Sequence, residues 1–315
     1  MRVVIPGGTG QVGGMLRRAL TSAGHEVVVL SRRPGGPGEV AWDGRTLGPW
    51  AEEIDGSDVV VNLAGRSVSC RYTEANLRTM MDSRVDSARV VGEAIAAAAR
   101  PPKVWLQMST ATIYAHRHDA ANDEAHGAIG GHEEGVPDYW AYSVDIAKRW
   151  EQAQEEAATP GTRKLALRAA MVMSPDRGGV FSVLSRMARL GLGGPVAGGR
   201  QYVSWIHEYD FVRAVLFLIE RADLDGPVIL ASPEPLPQRA FMRTLRRAWR
   251  MPLGLPATRT MAELGAFVLR SDTELLLKSR RVRPGRLLDA GFTFEQGHWA
   301  AAAAELTARS RGGRR

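Results

Sequence analysis

The chain has 315 residues, 44% hydrophobic and 24% charged, with a formal net charge of +7, enough for one large α/β domain with an appended lobe. Its single cysteine, Cys70, excludes an internal disulfide, and no Cys/His spacing has the form of a structural zinc site. Arg309, Arg311, Arg314 and Arg315 carry four of the positive charges, leaving +3 on the rest, and without an alternating basic and aromatic stripe no nucleic-acid partner is expected.

The opening "MRVVIPGGTG" lacks the charged region and long apolar stretch of a secretion signal, and no apolar run approaches the ~18 residues of a membrane span. A soluble, cytoplasmic protein with no membrane partner is expected. In chain order, short β-branched runs alternate with helical stretches, which predicts an α/β fold: a Rossmann doubly wound parallel sheet with a smaller, mostly helical C-terminal substrate lobe. "RVVIP" is the first strand, "QVGGMLRRALTSAG" a helix, "HEVVVLS" the second strand and "EVAWD" a short third. "DVVVNLAG" is a fourth, apolar throughout as befits a strand covered on both faces. A long helix is expected over 73–99, closed by Pro101 and Pro102, and then "KVWLQMST" as the fifth strand. Residues 115–137 lack periodicity and are rich in Gly, His and acids; they read as a loop long enough to be a substrate-side flap. A helix around Lys148 follows, then "RKLALRAAMVMSP" as one sixth strand. Further on, "YVSWIH" and "GPVILAS" read as strands, "DFVRAVLFLIER" as a helix capped by Asp210, and 235–294 as a small helical lobe. The expected division is 1–175 with 200–232 as the nucleotide-binding domain, 176–199 with 233–308 as the lobe, and 309–315 as a disordered basic tail.

"GGTGQVGG" places Gly7, Gly10 and Gly13 three apart, after a strand and opening a helix. Glycines there permit a tight turn and close approach of a pyrophosphate, and the first helical turn, with Gln11 and Val12, offers unpaired N–H groups. A carboxylate at the end of the second strand would hold the ribose diol of NAD, but "LSRRP" offers Ser31, Arg32 and Arg33 instead. An arginine pairs bidentately with a 2′-phosphate, so the cofactor read is NADP(H), with Arg32 the stronger candidate and a pair of solvated arginines the alternative. Asp58 is a candidate for the adenine, or an ordinary strand-start acid. Leu63, Ala64 and Gly65 of "NLAG" end the fourth strand where ligands sit in such sheets.

"GGTGQVGG", "NLAG", "DSRVDSARVVGEAI", "RWE", "LGLGGPVAGGRQYVSWIHEYD" and "RPGRLLDAGF", spread over nearly the whole chain, resemble the extended short-chain dehydrogenase/reductase superfamily. More closely they resemble its atypical NAD-dependent epimerase family proteins with a C-terminal domain of unknown function. The resemblance implies a cleft between an NADP(H)-binding domain and the lobe, and a superfamily that often dimerises, so a homodimer is one possibility. It also implies a Ser/Thr after the fifth strand, a tyrosine, and a lysine four residues later that exchange a proton while the nicotinamide exchanges hydride. The hydroxyl maps onto Thr110 and the lysine onto Lys148, which would hold the nicotinamide ribose. The tyrosine's position holds Val144, as the resembled subfamily also tends to lack it.

A tyrosine four places before a lysine shares its helix face, which lets the ammonium lower the phenol's pKa. Tyr142 lies six places before Lys148; it could replace the missing acid if the helix starts after it, with Ser143 as cap, and a bound water is the alternative proton relay. Tyr114 is a second phenol, expected to line the cleft. His116, His118, His126 and His132 crowd the flap without a helical metal frame, so no metal is expected, while one histidine as general acid stays open. Arg200, Gln201 and Trp205 are candidates for the substrate wall, and His207 for the lobe junction or the substrate. The function expected is an NADP(H)-dependent oxidoreductase or epimerase-like enzyme acting on a small polar or cyclic metabolite. Its rivals are a nucleotide-sugar epimerase that recycles its cofactor and a non-catalytic NADP(H)-binding sensor.

Overall fold

The computed structural model describes residues 1–137, 139–176, 178–261, 263 and 274–312. Seven strands run parallel in one sheet: β1 (Arg2–Pro6), β2 (Glu26–Ser31), β3 (Glu39–Ala41), β4 (Val59–Asn62), β5 (Val104–Thr110), β6 (Arg163–Ala169) and, late in the chain, β10 (Gly226–Leu230). Their order is β10-β6-β5-β4-β1-β2-β3, so the winding reverses at β1 and opens a crevice between the carboxyl ends of β1 and β4.

The period-two alternation of the strands feeds two cores. Val3 and Ile5 face α1 (Gln11–Ser22) and α5 (Glu208–Glu220), meeting Leu16, Leu20, Phe211 and Leu218. Val4 turns the other way, toward Val91 and Ile95 of α2 (Glu74–Ala97) and Trp150 of α3 (Tyr139–Glu155). All four residues of β4 are buried, which explains its unbroken apolar run. Thr73 caps α2 by accepting the Asn76 N–H, so that helix begins where its sequence changes texture.

The expected sixth strand is two elements. After β6 the chain leaves the main sheet: Ala170 N–H donates to Leu230 O at its edge, and β7 (Met171–Met173) pairs instead with β9 (Trp205–His207). "YVSWIH" is likewise divided at Ser204, because β8 (Tyr202–Val203) pairs with β11 (Leu236–Pro237). Ser204 Oγ donates to Arg280 O and accepts the Val282 N–H, stitching the division to the C-terminal segment. These pairings carry a third core, where Phe241 stacks on Trp299 at 4.0 Å among Phe181, Trp205 and Leu306.

Two further expectations are corrected. His207, not Asp210, caps α5: its Nδ1 accepts the Tyr209 N–H, while Asp210 is buried in the first turn and accepts the Glu295 and Gln296 N–H groups. Arg309–Gly312 are not a disordered tail but the end of the helix Trp299–Gly312, where Arg309 pairs with Glu208 and Glu305. Residues 313–315 lie outside the described residues. Among those described, no helix is long and apolar enough to cross a membrane.

Asp210 is fully buried, paired with Arg213 and holding two backbone donors of the C-terminal segment. Asp210→Ala leaves those two backbone donors unpartnered and removes the buried half of its pair with Arg213, so urea unfolding should show a loss of about 3 kcal/mol. A loss within the ~0.5 kcal/mol of an ordinary surface change would remove the carboxylate from this role.

Candidate functional site

The crevice is built around the turn after β1. Gly7 has φ +73°, and a Cβ there would stand 2.6 Å from Ala64 Cα, so the turn and the end of β4 touch backbone to backbone. A Cβ on Gly13 would lie 2.2 Å from Gly8 O, so the turn also needs glycine to pack on α1. Gly10 differs: a Cβ there would meet nothing within 4 Å. Its open side, beside the first-turn N–H groups of Gln11 and Val12, is a cradle fit for an anionic phosphate. Leu63 N–H donates to Pro6 O and Ala64 N–H to Asn62 Oδ1, bringing "NLAG" against the glycine turn.

At the end of β2, Ser31 is buried and its Oγ accepts the Arg33 N–H. Arg32 and Arg33 are exposed, and neither side chain has an ion-pair partner among the described residues. Asp58 is at the wrong end of the sheet. It precedes β4, and its carboxylate accepts the Arg2 N–H at the start of β1, which removes it as an adenine ligand.

Helix α3 begins at Tyr139, so Tyr142 is inside it and Ser143 is no cap: its hydroxyl donates to Glu274 Oε2 at 2.6 Å. The arrangement that would free Tyr142 from helical angles is therefore absent. Tyr142 and Lys148 nevertheless border one cleft of about 550 Å³ with Val144, His132 and Gly131. Lys148 is exposed there and has no hydrogen bond or ion pair among the described residues. Val144 is buried against Ala111, Ile113 and Tyr114, and a Cβ built on Gly131 would lie 3.6 Å from it, so the flap covers the position the customary phenol would fill. Glu133 fixes that cover by accepting the His116 and Gly131 N–H groups. Thr110 Oγ1 accepts the Thr112 N–H, leaving its own O–H to donate.

Two expected substrate contacts, Tyr114 and Trp205, are structural instead, and His207 takes the lobe-junction alternative. Tyr114 is buried, its hydroxyl accepting from Arg168 Nη1 at 2.8 Å, and burial raises its pKa. Trp205 is fully buried against Trp299, and His207 braces the lobe through Glu305 at 3.0 Å. Arg200 and Gln201 do border a second pocket, with His116, His118 and Trp140, although the Gln201 amide is already committed to Val196 O and Leu276 O. His126 is exposed, and among the described residues no group of three or more His, Cys, Asp or Glu is placed to hold a metal ion.

Sequence reasoning missed the ion pair under the site. Arg168 and Glu151 form a bidentate pair at 2.9 and 2.7 Å, and Ser109 Oγ donates to Glu151 at 2.5 Å. The signal was an arginine inside the apolar run "KLALRAA". It also missed the C-terminal reach into the site: Lys278 Nζ, buried and with its pKa lowered by that burial, donates to Thr112 O, and Arg280 Nε donates to Thr112 Oγ1. No spacing in the sequence announces either contact.

The doubly wound sheet, the glycine turn at its switch point and the lysine-bearing cleft define a Rossmann-type protein of the extended short-chain dehydrogenase/reductase kind. The chain belongs to the NAD dependent epimerase/dehydratase family, whose model matches residues 3–230, and a domain of unknown function (DUF1731) matches 263–306. It is 31% identical to the human epimerase family protein SDR39U1 over 98% of this chain and 100% of that one. The crystal structure of that human protein (isoform 2) with NADPH is similar with a TM-score of 0.86 and 28% identity, over 98% of this chain and 99% of the other. A nucleoside-diphosphate sugar epimerase from Corynebacterium glutamicum is similar with a TM-score of 0.75 and 25% identity, over 99% of this chain and 61% of that one.

His116 Nδ1 accepts the Ser279 N–H at 2.8 Å, which ties the flap to the C-terminal segment. Burial, helped by His118, pulls the ring from 6.5 down to about 4. The unfolded chain therefore binds this proton more tightly, and the tie's contribution is full above pH 6.5 and lost as pH falls toward 4. In thermal melts from pH 7.5 to 4.5, His116→Asn should lose less stability than the wild type; parallel curves would acquit the ring.

Proposed function

We propose that the chain binds NADP(H) in the crevice between β1 and β4 and catalyses oxidation or reduction of a small polar or cyclic metabolite in the adjoining cleft. The observation that carries this reading is the end of β2, where two arginines without an ion-pair partner among the described residues stand in place of a carboxylate beside a glycine turn with an open cradle at Gly10. Its support from relatives is the human protein crystallised with NADPH, which aligns with nearly the whole chain.

Gly7, Gly10, Gln11, Val12 and Gly13 would hold the pyrophosphate, Leu63, Ala64 and Gly65 would border the cofactor, and Arg32, with Ser31 beneath it, would read the 2′-phosphate. The bound nicotinamide supplies or accepts hydride. Lys148 orients the ribose through its unpaired ammonium, and Thr110 donates its O–H to the substrate oxygen. Although Tyr142 lies within α3 and off the face of Lys148, both border the cleft, so the proton would pass to or from its phenol through a bound water, Val144 offering no acid of its own. A second reading, dinucleotide binding without turnover, is favoured by the buried, flap-covered Val144. A third, recycling of the cofactor during sugar-nucleotide epimerisation, draws on the likeness to the Corynebacterium epimerase.

Calorimetric titration separates the cofactor question from the chemistry. Arg32→Ala should weaken NADPH by roughly tenfold or more while sparing NADH, and equal losses for both would sink the 2′-phosphate assignment. Tyr142→Phe should lower single-turnover reduction of whichever carbonyl a panel identifies by about 10²-fold or more, with NADPH affinity unchanged. An unaltered rate would take Tyr142 out of the mechanism.

A further inference from the structure

We propose that the Gln11 amide and the glycine pair Gly178–Gly179 form the outer wall of the pyrophosphate site, a reading that rests on NADP(H) binding as proposed above. Gln11 lies in the first turn of α1, and its Nε2 is buried with no hydrogen-bond partner among the described residues. A buried amide donor rarely goes without an acceptor, and a phosphate oxygen reaching this turn would supply one. The N–H groups around it are also donors: those of Gln11, Val12 and Gly13 in α1 and of Val180 and Phe181 in α4 (Val180–Arg189) have no intrahelical acceptors, and neither helix has a side-chain cap. The nearby Asp176 carboxylate is engaged by Arg18 of α1 at 2.5 Å. What remains is a surplus of donors that matches the anionic oxygens of a diphosphate.

Gly179 is what lets the second element come so near. A Cβ there would lie 2.0 Å from Gln11 Nε2 and 2.4 Å from Cδ and Oε1, so the backbone at 179 rests directly on the amide. Gly178, at φ +83°, makes the turn that brings it there, and the Arg18–Asp176 pair ties the segment to α1. The backbone at Gly179 has φ −85° and ψ 167°, which alanine adopts without strain. An added methyl therefore acts through the amide, pushing Gln11 toward the space the phosphates fill.

The test is calorimetric titration of NADPH into the wild type, Gln11→Ala, Gln11→Glu, Gly179→Ala and the double variant Gln11→Ala/Gly179→Ala, with ligand-free melting temperatures alongside. Each single alanine variant should bind at least tenfold more weakly at an unchanged melting temperature. Gln11→Glu, which sets a carboxylate against the phosphates, should bind more weakly than Gln11→Ala. The double variant should bind no more weakly than Gln11→Ala alone, because the methyl at 179 has nothing to push once the amide is gone. Wild-type affinity in the Gln11 variants would overturn the wall and leave the NADP(H) reading standing. Additive losses in the double variant would overturn it too, by showing that Gly179 acts through its own backbone. No NADPH binding by the wild type would bring down the NADP(H) reading and this inference together.

Discussion

At the carboxyl end of the sheet the turn after β1 lies so close to the turn after β4 that a Cβ at Gly7 would stand 2.6 Å from Ala64 Cα, and the rest of the site is arranged around that contact. Only glycine, at φ +73°, allows it. The contact closes the floor of the crevice, while the absence of anything within 4 Å of a Cβ at Gly10 keeps its mouth open. The winding of the sheet supplies the crevice itself, because the strand order reverses between β1 and β4.

Beneath the neighbouring cleft lies a second constraint, the chain Ser109–Glu151–Arg168–Tyr114. It joins β5, α3, β6 and the turn after Thr110 in one largely buried network whose ionic members are paired, which holds the lysine-bearing helix in register with the hydroxyl-bearing strand. The C-terminal segment works on the same turn from above, through Lys278 and Arg280 on Thr112 and Ser279 on His116. The domain of unknown function thus contributes directly to the walls of the site. It also holds the long 115–137 segment, which has no helix or strand of its own: Asn122 N–H donates to Arg281 O, Asn122 O accepts the Arg283 N–H, and Glu124 accepts the Arg286 N–H, while Glu133 closes the segment on itself.

The glycine turn and the apolar β4 were legible because their meaning is local: φ angles and burial on both faces. The errors fell where a residue's role depends on a distant partner. Tyr114 and Trp205 read as cleft residues because an aromatic side chain serves equally as core, and only Arg168 and Trp299 decide between the two. Asp210 reads as a cap because acids favour that position, yet His207 takes it and Asp210 receives N–H groups eighty-five and eighty-six residues away. Asp58 reads as a ligand only until the strand's direction places it at the far edge of the sheet.

The sequence by itself determined the parallel α/β architecture, the place of the crevice and the exclusion of a tyrosine at position 144, since periodicity, glycine spacing and residue identity are properties of the chain alone. Only the tertiary structure decided that Tyr142 lies within a helix yet shares a cleft with Lys148, that the chain after β6 leaves the sheet and pairs as β7 with β9, and that Gly179 rests on Gln11. These depend on contacts between segments tens to more than a hundred residues apart, whose geometry is set by how the sheet twists and what packs on it, and no local pattern encodes them.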